Sequence, residues 1–254
     1  MDAYAYAIDV LKRYRVWDEV PSSIRTFLLK ADPQYCSIRP GELEGKLQYH
    51  FRVMGPEAML DAAARRAGAL GIPPHILVAS LNDMEALDAA EVLAYLAREI
   101  EFYGRPFTPP CVLLCGGELL VTVGTATGVG GRNQEFALAT APLIEGSARI
   151  VVASIDSDGT DGPSAAAGGL VDGETMARLW DAGVDVVAAL QNHDSFHALQ
   201  ALGDTFLTGA QGTNVRDLRV LYIADHGRRS DGSPSPILGK TRLIRPPRRL
   251  VTAE

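Results

Sequence analysis

Short apolar runs alternate with longer amphipathic segments along most of this chain, and this alternation is the strongest constraint on its fold. Buried strands are predicted where a short run is almost wholly apolar, at 75–79, 111–115 and 149–155. Helices are predicted where apolar residues recur at helical spacing, at 57–70, 84–100 and 132–144. Strands that alternate with helices predict a layered, Rossmann-like α/β fold with helices on both faces of the sheet.

Weaker patterns extend this prediction to the rest of the chain. A helix is expected at 3–14 and another at 172–182, and further strands are expected at 50–54, 119–123, 205–207 and 219–223. The strand at 50–54, the helix that follows it and the strand at 75–79 form a predicted βαβ unit, whose strands would be parallel.

Domain boundaries are expected where proline and glycine interrupt the pattern. The stretch 103–110 separates two α/β blocks, so that residues 1–108 and 109–224 are predicted as two domains. Residues 225–254 carry four prolines and seven basic residues without periodicity, which predicts a flexible tail.

Composition excludes several classes of protein. The chain has 24 basic and 31 acidic residues and a net charge of -7, so no nucleic-acid partner is expected. It has three cysteines and no CxxC pair, which argues against a disulfide framework and a structural zinc site and favours the cytoplasm. No 18 apolar residues run together, so no membrane span is expected.

A glycine-rich segment at 124–131 connects a predicted strand to a predicted helix, and we call it the glycine loop. Gly128, Gly130 and Gly131 allow close approach of backbone to a ligand, and the amides at the helix start favour an anion. Arg132 adds a planar guanidinium that holds phosphoryl oxygens in two-point contact. The segment predicts a phosphate site; the alternative is a tight turn beside a solvated arginine.

Aspartates cluster after the strand at 149–155. Asp156, Asp158 and Asp161 lie at its carboxyl end, where open α/β sheets place their ligands. Carboxylate oxygens suit Mg²⁺, so a magnesium site is predicted among these aspartates. An Asx turn that merely leaves the strand is the alternative.

A third polar loop follows the strand at 205–207. Gly209, Gly212, Thr213 and Asn214 could form another anion-binding nest, or only a turn. Because all three loops begin at a strand end, we expect them to converge on one cleft.

The sequence Asn-His-Asp-Ser at 192–195 contains the residue types of a catalytic triad. However, the four are sequential neighbours and no nucleophile elbow is present. We expect instead that Asp194 or Ser195 is the N-cap of a helix at 196–202.

Five motifs, in order, resemble the C-terminal MOFRL domain of the glycerate 2-kinase family, some of whose members are named hydroxypyruvate reductase: CGGELLVTVG, GVGGRNQEFAL, SIDSDGTDGP, NHDSFHALQALGD and TGAQGTNVRDL. The resemblance implies transfer of the γ-phosphoryl group of ATP to the 2-hydroxyl of D-glycerate, with Mg²⁺, in a cleft between two α/β domains. The implied partners are glycerate and ATP, and a homodimer is left open.

The family's functional residues match positions of this chain. The resemblance implies a catalytic set of Arg132, Asp158 and Asp161, with Asp158 and Asp161 also as metal ligands. It implies substrate or nucleotide binding by Gly128, Gly130, Gly131, Asn133, Glu135, Gly209, Gly212, Thr213 and Asn214.

The chain also departs from the family pattern. Ala165 stands where the family has a carboxylate, and Leu119 stands where its GGET motif has threonine. The family's glycine-rich segment, catalytic lysine and SGPT loop are not found, so the first domain is expected to be incomplete and the chain alone a poor kinase. The runner-up is an inactive ligand-binding or regulatory remnant; an NAD-dependent reductase is disfavoured because no GxGxxG fingerprint is present.

Overall fold

A computed structural model describes residues 3–38 and 41–225, and the chain divides into two units, Met1–Phe51 and Arg52–Glu254. The first unit contains α1 (Ala3–Arg13), α2 (Ser22–Lys30) and a 3₁₀ helix at Pro33–Tyr35. Tyr4 is buried there, because its hydroxyl donates to the Asp32 carbonyl at 2.7 Å and its ring packs edge-on against Phe27. The predicted first helix is thus confirmed.

The second unit contains a mixed six-stranded sheet. Its helices are α3 (Pro56–Ala69), α4 (Ala86–Tyr103), α5 (Arg132–Ile144), α6 (Thr175–Asp181), α7 (Val186–Gln191) and α8 (Ser195–Gln200). Its strands are β1 (Pro74–Val78), β2 (Cys111–Gly117), β3 (Ile150–Asp156), β4 (Gly168–Asp172), β5 (Thr205–Phe206) and β6 (Asp217–Ile223). The strand order is β1-β2-β6-β3-β4-β5, and only the β1–β2 pair is parallel.

Helices cover both faces of this sheet. On one face, Leu218 and Val220 of β6 pack with Leu60 of α3. On the other, Leu221 and Ile223 of the same strand join the larger core that contains α4 and α5. Successive residues of a strand point to opposite faces, so β6 contributes to both cores. The predicted layered α/β fold is confirmed.

Two predicted strands are wrong. Phe51 and Val53 are 84% and 96% exposed, and no strand forms at 50–54. At 119–123 only Leu120 makes an isolated bridge, because the chain turns away at Gly117, whose φ is +116°. In both places the apolar pattern is present, but a strand also needs a partner for its backbone hydrogen bonds.

The predicted βαβ unit is therefore also wrong at its first strand. The parallel crossover instead runs from β1 through α4 to β2. Strand β4 was not predicted, and it explains why α6 starts at Thr175 rather than at Asp172.

The predicted boundary at residue 108 falls between elements that contact each other. Strand β1 pairs with β2, and α4 packs against α5, across that position. The division into domains stays a prediction. Residues 226–254, which make up nearly all of the predicted tail, lie outside the described residues. Within the described part of the chain, no helix combines the length and apolar character needed to span a bilayer.

The sheet register brings three strand ends together. Gly117 at the end of β2 pairs with Asp217 at the start of β6, and Asp217 pairs with Asp156 at the end of β3. Helix α5 starts at Arg132, whose side chain contacts both aspartates. The candidate site is built at this edge.

Candidate functional site

Arg132 is held by two carboxylates at the sheet edge. Its Nε donates to Asp217 Oδ2 at 2.9 Å, and its Nη2 donates to Asp217 Oδ1 at 2.9 Å and to Asp156 Oδ2 at 2.5 Å. Glu118 Oε1 lies 3.5 Å from the same Nη2. This two-point contact fixes the plane of the guanidinium.

The charges of this cluster shift one another's pKa values. Burial alone would lower the pKa of Arg132, but the hydrogen bond and charge of Asp217, with Asp156 and Glu118, raise it. Burial raises the pKa of Asp156 to about 6, a rise supported by the charge of Asp217 and opposed by the Asp158 amide and Arg132. Arg132 thus stays charged, while Asp156 changes charge close to neutral pH.

Behind Arg132 lies a second, fully buried arginine. Arg219 Nη2 donates to Asp217 Oδ2 at 2.7 Å, and its guanidinium lies 5.6 Å from the centre of the Phe136 ring. Its Nε and Nη1 have no partner among the described residues. Burial lowers the pKa of Arg219, and Asp217 opposes that shift. Asp217 therefore balances two arginines at once.

Sequence reasoning did not assign Asp217 and Arg219 to the site. The sequence did contain a signal, since both residues lie at alternate positions of β6, on the same face as the core residues Leu221 and Ile223. Charged side chains at inward positions of a strand are rarely fully buried unless paired. Two charged residues on the inward face of one strand predict a buried charge cluster.

Asp161 caps helix α5 from a neighbouring loop. Its Oδ1 accepts from Asn133 N and Nδ2 at 3.1 and 3.2 Å, and its Oδ2 accepts from Gln134 N and Nε2, both at 2.9 Å. Burial raises the pKa of Asp161, and these four donors oppose the rise. The anion at the helix start is thus one of the protein's own carboxylates.

This geometry does not fit Asp161 as a magnesium ligand, because N–H groups already point at both of its oxygens. Asp158 has different partners: its Oδ1 accepts from the amide and hydroxyl of Thr160 at 2.9 and 3.0 Å, and its Oδ2 from Asn214 Nδ2 at 3.3 Å. The bonds within the loop form the expected Asx turn. Among the described residues, no group of three or more His, Cys, Asp or Glu side chains could hold a metal ion. The metal role of Asp158 stays a prediction.

The predicted site residues divide between two recesses and a buried group. A cleft of about 500 Å³ is lined by Gly128, Gly130, Gly131, Arg132 and Glu135. An open recess of about 430 Å³ is lined by Asp158, Gly212, Thr213 and Asn214. Asn133 and Asp161 are buried, and Gly209 packs through its carbonyl oxygen against Gly159. The binding roles of these residues stay predictions.

The glycine loop is bonded to residues 192–196, which we call the histidine loop. Gly128 N donates to the Asn192 carbonyl at 3.0 Å, and Val129 N donates to Asp194 Oδ1 at 2.8 Å. In return, Phe196 N donates to the Val129 carbonyl at 2.9 Å. Two amides of the glycine loop are therefore not free for a phosphate.

Asp194 is the residue before α8, as predicted, but its side chain makes no capping bond to the helix. Its carboxylate instead binds the Val129 amide of the glycine loop, and its Oδ1 lies 2.6 Å from His197 Nδ1. His193, which sequence reasoning set aside, lines the cleft together with Arg132.

Comparisons with known proteins agree with this architecture. Residues 111–217 match the MOFRL family. The glycerate 2-kinase of Pyrococcus horikoshii is 37% identical over 220 residues, covering 84% of this chain and 48% of that protein. The D-glycerate 2-kinase of Thermotoga maritima is 38% identical over 217 residues, covering 85% of this chain and 49% of that protein.

A crystal structure of glycerate kinase from Thermotoga maritima has a TM-score of 0.67 at 35% identity, covering 87% of this chain and 50% of that chain. The chain spans about half the length of these relatives. The predicted resemblance is thereby confirmed: the chain is similar to the glycerate 2-kinases, and its residues 111–217 match the MOFRL family.

Proposed function

We propose that this chain takes part in glycerate 2-kinase chemistry, the transfer of the γ-phosphoryl group of ATP to the 2-hydroxyl of D-glycerate. One observation carries the proposal: Arg132 is fixed by Asp156 and Asp217 at the wall of a glycine-lined cleft. The names of the relatives point to the same reaction.

The cleft can supply positioning and charge neutralisation, which are the main requirements of phosphoryl transfer. Arg132 uses Nε and Nη2 on the two aspartates, and no described residue accepts from its Nη1. We assign Nη1 to an oxygen of the transferring phosphoryl group or of the glycerate carboxylate. A donor fixed before the ligand arrives needs no reorganisation during the reaction.

A magnesium ion, when bound with ATP, would neutralise phosphate charge. Asp161 does not fit this ion, for the reason given above. Asp158 is the better candidate, because its carboxylate lies beside the hydroxyl of Thr160 and faces an open recess. Oxygen groups of this kind are the ligands that Mg²⁺ prefers.

A cytoplasmic location is part of the proposal. Cys111 and Cys115 are buried free thiols on β2, and burial raises the pKa of Cys115 to about 11. Such thiols are stable in a reducing compartment. A homodimer stays open.

The test compares two arginines that are each held by two aspartates. Arg178 contacts Asp172 and Asp204, away from the cleft, and is the matched control. Calorimetric titration of the purified chain with Mg²⁺-ATP and with D-glycerate is combined with an ADP-release assay. We expect Arg132→Ala to weaken binding or turnover more than tenfold, and Arg178→Ala to change neither by more than about twofold.

Unchanged affinity and turnover in folded Arg132→Ala would remove the residue from the site. Oxidation of NADH by hydroxypyruvate, without ADP release from glycerate, would favour the reductase over the kinase.

A further inference from the structure

His193 is placed in the cleft by an unusual backbone conformation. Its φ is +52°, in the left-handed region that a residue with a β-carbon rarely adopts. The bonds between the glycine loop and the histidine loop hold this conformation, because Asn192 and Asp194 on either side are both anchored. Strained residues that the surroundings fix are concentrated at functional sites.

Glu135 orients the ring of His193. The Nδ1 atom lies 2.9 Å from both carboxylate oxygens of Glu135, which is 2% exposed. Burial raises the pKa of Glu135, and the hydrogen bond and charge of His193 oppose that rise. A carboxylate on Nδ1 favours the tautomer that carries its proton there and leaves Nε2 as the acceptor. Within the described part of the chain, Nε2 has no hydrogen-bond partner.

The charged groups around His193 are few. Besides Glu135, the cleft is lined by Asp83, Glu118, Arg132 and Arg216. Asp161 and Glu85 act on Glu135 through their charges. Among the cleft-lining side chains, His193 combines an unpartnered nitrogen with a buried carboxylate behind it, which is the arrangement of a general base.

We propose that His193, oriented by Glu135, is the catalytic base that accepts the proton of the acceptor hydroxyl. This inference rests on the proposed function and deepens it. The hydroxyl O–H bond breaks and its proton moves to Nε2. The oxygen forms a bond to the γ-phosphorus, and the bridging P–O bond breaks with its electron pair leaving on ADP. Glu135 is the positioning residue, and its carboxylate stabilises the imidazolium that forms.

The principal variant is His193→Asn, since asparagine tolerates the left-handed backbone. His197→Asn is the matched control, because His197 is also bonded to a carboxylate but is exposed and does not line the cleft. For His193→Asn we expect kcat to fall by about 10²-fold or more with KM changed less than about threefold. For His197→Asn we expect no change in either.

A second variant tests the role of Glu135. In Glu135→Gln the pH profile of kcat should move to lower pH, because the buried carboxylate no longer stabilises the imidazolium. A merely structural role would lower the amount of folded protein without moving this profile. An unchanged kcat in folded His193→Asn overturns the inference while leaving the proposed function intact.

A measurement that needs no turnover separates failure of the proposed kinase activity from failure of the inference about His193. Imidazole ¹⁵N resonances of the full chain are followed as D-glycerate is added, with His193→Asn used for assignment. We expect the Nε2 resonance of His193 to shift and that of His197 to stay. If the wild-type chain releases no ADP, the proposed activity fails for this chain. If, in addition, the His193 resonance does not shift when glycerate is added, the inference is overturned as well. If glycerate binds with an Arg132-dependent affinity and the His193 resonance does not move, only the inference is overturned.

Discussion

Replacing Asp161 by asparagine distinguishes a helix cap from a metal ligand. In the structure its carboxylate is completely buried and accepts four hydrogen bonds at the start of α5. Asparagine has the same shape, but its amide NH₂ would face two N–H donors. If Asp161 were mainly a metal ligand, Asp161→Asn would weaken Mg²⁺ binding and leave the fold intact. From the cap geometry we expect the opposite: Asp161→Asn should destabilise the fold more than it weakens Mg²⁺ binding.

The size of the effect follows from the bonds that are lost. Two of the four hydrogen bonds disappear, and a buried bond to a charged group contributes about 1.5–3 kcal/mol. Removing the buried charge recovers part of this, so we expect the free energy of unfolding to fall by about 3 kcal/mol. For a unit of this size that corresponds to a decrease in Tm of about 6–12 °C.

The assay is thermal unfolding followed by circular dichroism at neutral pH without added metal. Asp158→Asn is the control, because the same substitution three residues earlier affects only an Asx turn and one 3.3 Å bond from Asn214, and it should cost less than about 1 kcal/mol. If Asp161→Asn has the same Tm as the wild type and binds Mg²⁺-ATP more weakly, the helix-cap interpretation is refuted and the metal-ligand interpretation is supported.

The other predictions concern backbone packing and pH. Gly162 has φ +63° and a β-carbon there would lie 2.2 Å from the Gly130 carbonyl oxygen, so Gly162→Ala should cost more than about 3 kcal/mol in chemical denaturation. Gly183→Ala, at φ +71° with no atom within 4 Å, should cost only about 1 kcal/mol, and equal losses would contradict the steric argument. Because the pKa of Asp156 is about 6 in the folded state and 3.8 is its ordinary value, the folded state retains a proton that the unfolded state releases. Stability should therefore fall as pH rises from about 4 to 6, and Asp156→Asn should flatten this fall; an identical slope in both proteins would disprove the assignment.

Elements with strong local patterns were predictable from the sequence. Helix α5 has the predicted bounds, since Gly131 precedes it and apolar residues recur along it. Strand β4 was missed because its Gly168 and Gly169 carry no β signal, although a side chain at Gly168 would collide with the Ser154 carbonyl oxygen. Strand pairing, rather than local propensity, decides such elements.

The candidate site was predictable only in part. Arg132 was found because glycine loops before helices have a known relation to anions. Its partners Asp156 and Asp217 lie 24 and 85 residues away in sequence, and only the register of β3 and β6 brings them together. The contacts of Asp161 were not predictable for the same reason: the amides that it accepts from belong to another segment.

The bonds between the glycine loop and the histidine loop also affect the entropy of binding. Gly128, Val129 and Phe196 are tied by hydrogen bonds within the protein, so the wall of the cleft is ordered by the chain's own contacts. A binding loop that must become ordered consumes part of the interaction free energy, whereas a wall that is already ordered does not. The ligand then restricts only a few side chains, and more of its contact energy is available as affinity.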